Sequence, residues 1–293
     1  MKIKSKSLPY LLLLPTLIWV FSLIVYPFLS AAHLSFYSSK YGVTLGEFVG
    51  LKNFYKLLFE DDMFWIAFKN SMVWTVGNLV IQTVFGLGGA LLLNEKFRAR
   101  NASRTLVIIP WVIPTVVISL IWRWMLEPSM GIVNAILSWT GIMSPDEPFL
   151  YLGSLSYAML VMIIINSWRF TPFAIVLILA ALQTIPLELY ESSDIDGASG
   201  FQKFRNITFP LISPILGFVG LFAFVWTFNL FDLIWLTTHG GPANATETLP
   251  LLIYRRGFAE FRTSEAAAIS VIMFLFLAVF SIVYFKRIVK RAE

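Results

Sequence analysis

The sequence predicts an all-α, polytopic membrane protein with six transmembrane helices. Of its 293 residues, 58% are hydrophobic and only 13% are charged, which is about half the charged share of a typical soluble domain. The charges are clustered, and the long uncharged stretches between them are solidly apolar, whereas the strands of a membrane barrel would alternate. A helix needs about 20 apolar residues to cross a bilayer. Six spans fit the sequence: 9–32, 69–93, 105–126, 156–182, 209–236 and 265–285.

The first span follows Lys2, Lys4 and Lys6 and could be taken for a secretory signal. Its apolar run is far longer than the roughly 7–15 residues of the hydrophobic region of a signal peptide. We therefore interpret it as a retained helix, followed by a long outer loop over 33–68.

The second and third spans contain residues that shape helices. Gly86, Gly88 and Gly89 would let a neighbouring helix approach the second span closely. Pro110 and Pro114 predict a kink in the third span, because proline removes a backbone donor and collides with the preceding turn.

Arg169 lies near the middle of the fourth span, where a charge costs at least about 2.5–3.5 kcal/mol on insertion scales. It should therefore face a wet cavity or a partner. One interpretation is that Arg169 lines a solute path together with Asn166 and Trp168. The other is that it pairs with an acid or with carbonyl groups freed by Pro172. If Arg169 binds solute, its guanidinium group would also suit an anionic one.

The fifth span contains Asn229 and Asp232, which are spaced i, i+3 and therefore share one face of the predicted helix. They lie toward the outer end of the span, with Trp235 one turn further on. Lining of the path is favoured over a capping role. The predicted path consists of Asn166, Trp168, Arg169, Asn229, Asp232 and Trp235.

Loop charges predict that both termini are cytoplasmic, because short cytoplasmic loops are enriched in Lys and Arg. Thirteen bases fall on the side of the termini and seven on the other, where the 127–154 loop has three acids and no base. The net charge of +5 follows from this distribution, so it does not indicate nucleic-acid binding. The thirteen are Lys2, Lys4, Lys6, Lys96, Arg98, Arg100, Arg104, Lys203, Arg205, Lys286, Arg287, Lys290 and Arg291.

The segment 186–210, between spans four and five, predicts a cytoplasmic elbow of two short helices. Pro186 ends the fourth helix, Gly197 supplies a turn, and a second helix starts near Ser199. Acids mark the first helix and aromatic residues the second, a pattern that suits insertion into a groove on another protein. The alternative, a helix lying on lipid head groups, is disfavoured by four acids because the cytoplasmic leaflet is itself negative.

This elbow resembles the EAA loop of ABC importer permeases, in which E-A-A is followed by three residues, a glycine and later an isoleucine and a proline. The matching residues here are Glu191-Ser192-Ser193, Gly197, Ile207 and Pro210, with serines where alanines are usual. A second stretch, FNLFDLIWLTTHGGP over 228–242, resembles the carbohydrate-importing branch of these permeases, the maltose and glycerol-phosphate type.

The resemblance implies a type-1 permease core over 69–286, with the coupling loop at 186–210. It is preceded by a tail, helix and outer loop over 1–68 and followed by a cytoplasmic tail over 287–293. The residues that would couple to the ATPase are Glu188, Glu191, Asp194, Asp196, Gly197, Ala198, Phe201 and Phe204.

The resemblance also implies a set of partners in the inner membrane. A second, unlike permease chain would complete the pore, and two cytoplasmic ABC ATPases would hold ATP and Mg. A solute-binding protein outside would deliver the sugar. This chain has no Gly-x-x-x-x-Gly-Lys-Ser/Thr phosphate loop, and we expect it to hold no cofactor and to have no catalytic residue.

Two other classes of protein would require different residues. An ion-gradient-driven carrier would need intramembrane acids as ion sites, and only Asp232 and Arg169 are candidates, neither of them clearly paired. A membrane enzyme would need a cluster of His, Asp or Glu at a membrane face, and the sequence shows none. His33 and His239 lack ligand-like neighbours, so no metal site is expected.

Overall fold

The structure is a computed structural model that describes residues 8–40, 44–144 and 146–292. The predicted tail with Lys2, Lys4 and Lys6 lies outside the described residues. The described chain is mainly helical, as the sequence predicts, with one antiparallel hairpin of β1 (Tyr37–Lys40) and β2 (Thr44–Phe48).

The helices fall into two groups along the chain. The first is α1 (Leu8–Val20), α2 (Tyr26–Leu34), α3 (Lys52–Phe59), α4 (Asp62–Asn94), α5 (Arg100–Val107), α6 (Ile109–Val112), α7 (Thr115–Met125) and α8 (Ile132–Trp139). The second is α9 (Ala158–Leu182), α10 (Leu187–Ile195), α11 (Gly200–Lys203), α12 (Phe209–Phe228), α13 (Asp232–Thr238), α14 (Leu249–Tyr254) and α15 (Thr263–Ala292). Wider, π-helical turns occupy Phe21–Val25, Phe204–Thr208 and Arg255–Ala259.

Five helical runs in the described chain are long and apolar enough to cross a membrane, and a bent pair makes a sixth. This agrees with the six predicted spans. The five runs are Tyr10–Leu34, Asp62–Asn94, Ala158–Leu182, Gly200–Phe228 and Thr263–Ile288, and the pair is Arg100–Val112 with Thr115–Met125.

The third span bends by 91° between its two helices. Ile113 has extended backbone angles (φ −66°, ψ 130°), as a residue before proline prefers, because the proline ring disfavours the helical region there. Pro114 therefore makes the break. Pro110 lies in the first turn of α6, where a missing backbone donor is tolerated.

The fifth span differs from the prediction at both ends. The second elbow helix does not stop before Pro210, because Gly200–Phe228 is one helical run through the turn at Phe204–Thr208. Pro210 occupies the first turn of α12, where it is tolerated, and the hydroxyl of Ser213 donates to its carbonyl at 2.9 Å. At the other end the helix stops at Phe228, and α13 begins at Asp232.

The chain forms two compact units. The larger one contains Ile66–Leu251 and the described residues from Leu277 onward. In it α4 packs closely on α9, since a Cβ at Gly86 would lie 2.9 Å from the Cβ of Ala174 and one at Gly89 would lie 2.6 Å from Ile175. The prediction of close packing is confirmed for these two glycines. It is wrong for Gly88, where a Cβ would meet nothing within 4 Å.

The smaller unit contains the described residues up to Trp65 together with Leu252–Phe276. It contains Arg256, whose guanidinium group is buried. This group contacts Asp61 at 2.7 Å and Glu265 at 2.6 Å. The ammonium group of Lys56 adds a bond to Glu265 at 2.9 Å. The ion pairs thus join α15 to α3 and to the residue that precedes α4.

Candidate coupling segment and solute path

The coupling segment begins with α10, whose limits are set by its end residues. Pro186 precedes the helix in an extended conformation (ψ 133°). Gly197 follows it with φ +73°, a left-handed conformation that glycine adopts at little cost. The backbone N–H of Gly197 donates to the Asp194 carbonyl at 3.1 Å, and that of Ala198 to the Ser193 carbonyl at 2.9 Å. These paired bonds close the helix end in the manner of a Schellman motif.

The next helix is started by a capping box that the sequence analysis missed. The backbone N–H of Gln202 donates to the Ser199 hydroxyl at 3.4 Å, and the backbone N–H of Ser199 donates to the Gln202 side chain at 2.7 Å. The spacing Ser-x-x-Gln is the sequence signal that could have identified it. The elbow therefore consists of α10, a glycine turn and the capped first turn of the long run into α12.

Two side-chain bonds tie the elbow together across the turn. Lys203 forms an ion pair with Asp194. The hydroxyl groups of Tyr190 and Thr208 lie 2.8 Å apart in a hydrogen bond, and Thr208 is buried. The position of α10 is thereby fixed to the base of the fifth span.

The outer surface of the elbow exposes both charge and apolar area. The predicted acids Glu188, Glu191, Asp194 and Asp196 are all exposed. Phe201 is 70% exposed, and Ile195, which the sequence analysis did not select, is 88% exposed. Phe204 is half-buried, with its ring centroid 6.0 Å from that of Phe209. Two large apolar side chains on either side of Gly197 are thus presented to solvent.

The serines that replace the usual alanines turn their hydroxyl groups inward along the helix. Ser192 donates to the Leu189 carbonyl at 3.1 Å, and Ser193 to the Tyr190 carbonyl at 2.7 Å. Because each hydroxyl is satisfied within α10, the surface there needs no polar partner from another chain.

In the fourth span the predicted path residue Asn166 lies in the core. It is fully buried, and its Nδ2 donates to Asn78 Oδ1 at 2.8 Å, while the hydroxyl of Ser167 donates to the same oxygen at 3.1 Å. Asn78 in turn donates to the Trp74 carbonyl at 2.8 Å. This polar network joins α4 to α9, so the structure gives Asn166 a packing position rather than one facing solute.

The neighbouring Trp168 and Arg169 are less buried. Trp168 lies edge-on to Trp122, 5.7 Å between centroids, and lines an apolar hollow of about 480 Å³. Nε and Nη1 of Arg169 are buried and form no hydrogen bond within the described chain. The charge of Asp232 acts on Arg169 across the space between them, although no ion pair joins these two side chains. Neither predicted partner, an acid in contact or a freed carbonyl, is found for Arg169 in the described chain.

A second hollow, of about 410 Å³, lies at the end of α12. Asn229 and Asp232 both line it, but not as neighbours on one helical face, because the helix ends between them. The Asn229 amide donates to the Val225 carbonyl at 2.8 Å, and Asp232 accepts from the Leu233 N–H at 2.9 Å. Both polar side chains mark the break. The lining is Phe222, Val225, Trp226, Asn229, Leu230, Phe231 and Asp232.

Aromatic contacts connect these features. Trp226 stacks on Phe222 at 5.7 Å and meets Phe170 edge-on at 6.4 Å. Trp235 is not part of the lining of the hollow; it stacks at 5.7 Å on Phe231, which is. Of the six predicted path residues, the structure therefore brings Arg169, Asn229 and Asp232 toward one region. Trp168 lies at the other hollow, Asn166 lies in the core between α4 and α9, and Trp235 contacts the lining residue Phe231.

Known proteins similar to this chain cover nearly all of it. Residues 82–293 match the family described as "Binding-protein-dependent transport system inner membrane component". The chain is 34% identical over 289 residues to the trehalose/maltose transport system permease protein MalF of Thermococcus litoralis, covering 98% of this chain and 95% of that protein. It is 31% identical over 283 residues to the sulfoquinovosyl glycerol transport system permease protein SmoG of Agrobacterium fabrum, covering 96% and 90%.

Two solved structures agree with the fold. One is a bacterial ABC transporter involved in the import of the acidic polysaccharide alginate, with a TM-score of 0.85, 25% identity and coverage of 98% of this chain and 96% of that one. The other is a bacterial alginate ABC transporter in complex with an alginate pentasaccharide-bound periplasmic protein, with a TM-score of 0.82, 27% identity and coverage of 94% and 92%.

These similarities confirm the resemblance to sugar ABC importer permeases. They favour this class over the alternative, an ion-gradient-driven carrier. The chain belongs to the family of binding-protein-dependent transport system inner membrane components.

Proposed function

We propose that this chain forms half of the translocation pore of an ATP-driven carbohydrate importer, and that its coupling segment, residues 186–210, receives the stroke of a separate ATPase. One observation carries the proposal. The exposed apolar pair Ile195 and Phe201 flanks Gly197, on an elbow that is bonded to the fifth span by Tyr190 and Thr208. An apolar patch held on a rigid support suits docking into a groove of a partner.

The elbow and the second hollow lie at opposite ends of one helical run. Gly200–Phe228 contains 29 residues, which at about 1.5 Å per residue extend over roughly 43 Å. A displacement of the elbow would therefore move the end of α12, where Trp226 and Asn229 line the hollow. This is a lever of the kind in which rigid elements transmit a domain movement.

The solute path in this proposal passes the second hollow and Arg169. Trp226 and Phe222 offer aromatic faces, and Asn229 and Asp232 offer polar groups, a combination that suits a sugar. The unpaired guanidinium nitrogens of Arg169 would bind hydroxyl groups or an anionic substituent. Trp168 would guide solute at the neighbouring hollow.

The partners and topology follow the same scheme. Both termini and the coupling segment would be cytoplasmic, as the loop charges predict. An unlike permease chain would complete the pore, a solute-binding protein would dock outside, and two ATPases would hold ATP and Mg. In the most apolar 18-residue stretch of Tyr10–Leu34, no side chain is buried within this chain. The surface of this helical run is therefore left for lipid or for the second permease. The chain itself would hold no cofactor and perform no catalysis.

Co-purification tests the docking surface. Ile195→Asp and Phe201→Asp should each reduce the amount of ATPase that co-purifies with the permease pair, whereas Leu155→Asp should not. Leu155 is a matched control because it is 65% exposed and directly follows the 127–154 loop, on the opposite side of the membrane in the proposed topology. Equal ATPase recovery from all three variants would contradict the proposal.

A further inference from the structure

A cavity of about 760 Å³ lies between α4, α12 and the end of α15. The helices α12 and α15 touch beside it, since a Cβ at Gly217 would lie 2.9 Å from Ile288 and one at Gly220 would lie 3.1 Å from the Tyr284 hydroxyl. The two hollows described above share no lining residue with it, and the coupling segment contributes only its last two residues, Phe209 and Pro210. The lining is Thr83, Phe209, Pro210, Ser213, Pro214, Leu216, Gly217, Tyr284, Arg287 and Ile288.

The cavity has an apolar body and a basic rim. Phe209, Pro214 and Ile288 supply apolar walls, and no acidic residue is part of the lining. Arg287 is exposed, and within the described chain it makes no ion pair. Ser213 already donates to the Pro210 carbonyl. The charge available at the rim is therefore positive, which selects an anionic group.

The position of the cavity along the last span defines the class of ligand. Arg287 lies just after the uncharged stretch of the last span, which ends at Phe285, at the end that the loop charges assign to the cytoplasm. Arginine at a helix end extends to the interface, where lipid phosphates lie, and the cytoplasmic leaflet carries anionic lipids. A ligand that combines a phosphate at this level with an acyl chain in an apolar cleft is a phospholipid.

We propose that this cavity binds an anionic phospholipid of the cytoplasmic leaflet, with its phosphate on Arg287 and an acyl chain against Phe209, Pro214 and Ile288. The clustering of bases on one side of the membrane explains why Arg287 is on this side, but it does not explain an apolar cavity beside it. The inference depends on the proposed topology and is independent of the identity of the sugar.

The test uses the complete importer, purified with its permease and ATPase partners. Native mass spectrometry compares the retention of phosphatidylglycerol and of phosphatidylcholine with identical acyl chains. The wild type should prefer phosphatidylglycerol, and Arg287→Ala should lower that preference about fivefold, the effect of one cation near an anionic leaflet. Arg287→Lys should keep it. Lys286→Ala is the control, because Lys286 is an adjacent, exposed base outside the lining.

A phosphatidylglycerol with a photoreactive acyl chain gives a second measurement. It should label peptides that contain Pro210–Gly217 or Tyr284–Ile288 in the wild type. Equal retention of the two lipids, an unchanged preference in Arg287→Ala, or labelling that avoids both peptides would overturn the proposal; the last result would mean that a partner helix fills the cavity. Co-purification of the ATPase in the same sample separates this outcome from a failure of the proposed transport function.

Discussion

Tyr190 and Thr208 are joined by a 2.8 Å hydrogen bond between their hydroxyl oxygens. The two residues lie on either side of Gly197, one in α10 and the other in the π-helical turn at the base of the fifth span. Because Thr208 is buried, the bond anchors an exposed helix to the interior of the bundle. The elbow is thereby closed into a loop that is fixed at both arms.

Loss of this bond should weaken coupling without dissolving the complex. Tyr190→Phe removes one hydroxyl group, and a net hydrogen bond is worth about 1 kcal/mol, so the solute imported per ATP should fall roughly fivefold. Uptake and phosphate release measured in the same proteoliposomes give this ratio. Thr208→Val should have the same effect, and the double variant should be no worse than either single one, as expected for two ends of one bond. An unchanged ratio in both single variants would remove the bond from the mechanism.

Gly197 and Gly200 form a matched pair of glycines in the elbow. A Cβ at either position would meet nothing within 4 Å, but only Gly197 has a positive φ, +73°. Gly197→Ala should therefore strain the turn by about 1–2 kcal/mol, and Gly197→Pro should disrupt it because proline fixes φ near −65°. Both should reduce stimulation of the ATPase by sugar-loaded binding protein, with Pro the more severe. Gly200→Ala should leave stimulation near the wild-type value, and equal loss in all three variants would refute the turn argument.

The features that could be predicted from the sequence are those that depend on neighbouring residues along the chain. The spans followed from hydropathy, the elbow from Pro186 and Gly197, and the break in the third span from Pro114. The continuity of Gly200–Phe228 could not be predicted in this way, because proline is tolerated in the first turn of a helix and Pro210 lies in such a turn.

The core position of Asn166 could not be predicted for a different reason. Its partner Asn78 is 88 residues away, and no local pattern shows that these two amides meet. The fourth span is apolar on most of its faces, so periodicity did not distinguish a buried asparagine from one that faces solute. The function of the elbow came from its resemblance to a family, since spacing alone shows a docking surface but not its partner.

The asparagine network should matter for stability. Asn78→Leu would leave Asn166 and Ser167 without their shared acceptor, and a buried donor left unsatisfied costs about 1–3 kcal/mol. We expect a clear drop in the midpoint of thermal unfolding in detergent. Asn101→Leu, at an exposed position, should change the midpoint little. If the two variants unfold at the same temperature, the network does not hold α4 and α9 together.

The ion pairs of the smaller unit provide a second stability test. The side chains of Arg256 and Asp61 are only 7% and 9% exposed. Arg256→Met should cost about 3–5 kcal/mol, because it leaves the buried carboxylate of Asp61 without a counter-charge. Arg262→Met is the control, since Arg262 is 52% exposed and lies 3.6 Å from Glu265, and an exposed pair is worth about 0–1 kcal/mol. Differential scanning fluorimetry compares them, and equal shifts would show that the burial of Arg256 is unimportant.

Substitution of Arg169 can distinguish a role in transport from a structural role. It has buried nitrogens without hydrogen-bond partners, no ion pair in the described chain, and only a ring contact to Phe170 at 4.9 Å. A structural arginine would lose bonds on substitution, whereas this one has few to lose. Arg169→Ala should therefore leave thermal stability and ATPase binding close to wild type while reducing uptake at least tenfold, because a desolvated, charged hydrogen bond to solute contributes about 1.5–3 kcal/mol.

Two further variants examine what Arg169 contributes. If Arg169 acts on an anionic sugar through its charge alone, Arg169→Lys should restore uptake of that sugar better than uptake of a neutral one. The reverse pattern would indicate a planar, bidentate contact to the anion that lysine cannot make. Asp232→Asn adds a check, since the charge of Asp232 acts on Arg169: it should change uptake in the wild type and have little further effect in Arg169→Ala. Unchanged uptake in Arg169→Ala would place Arg169 outside the solute path.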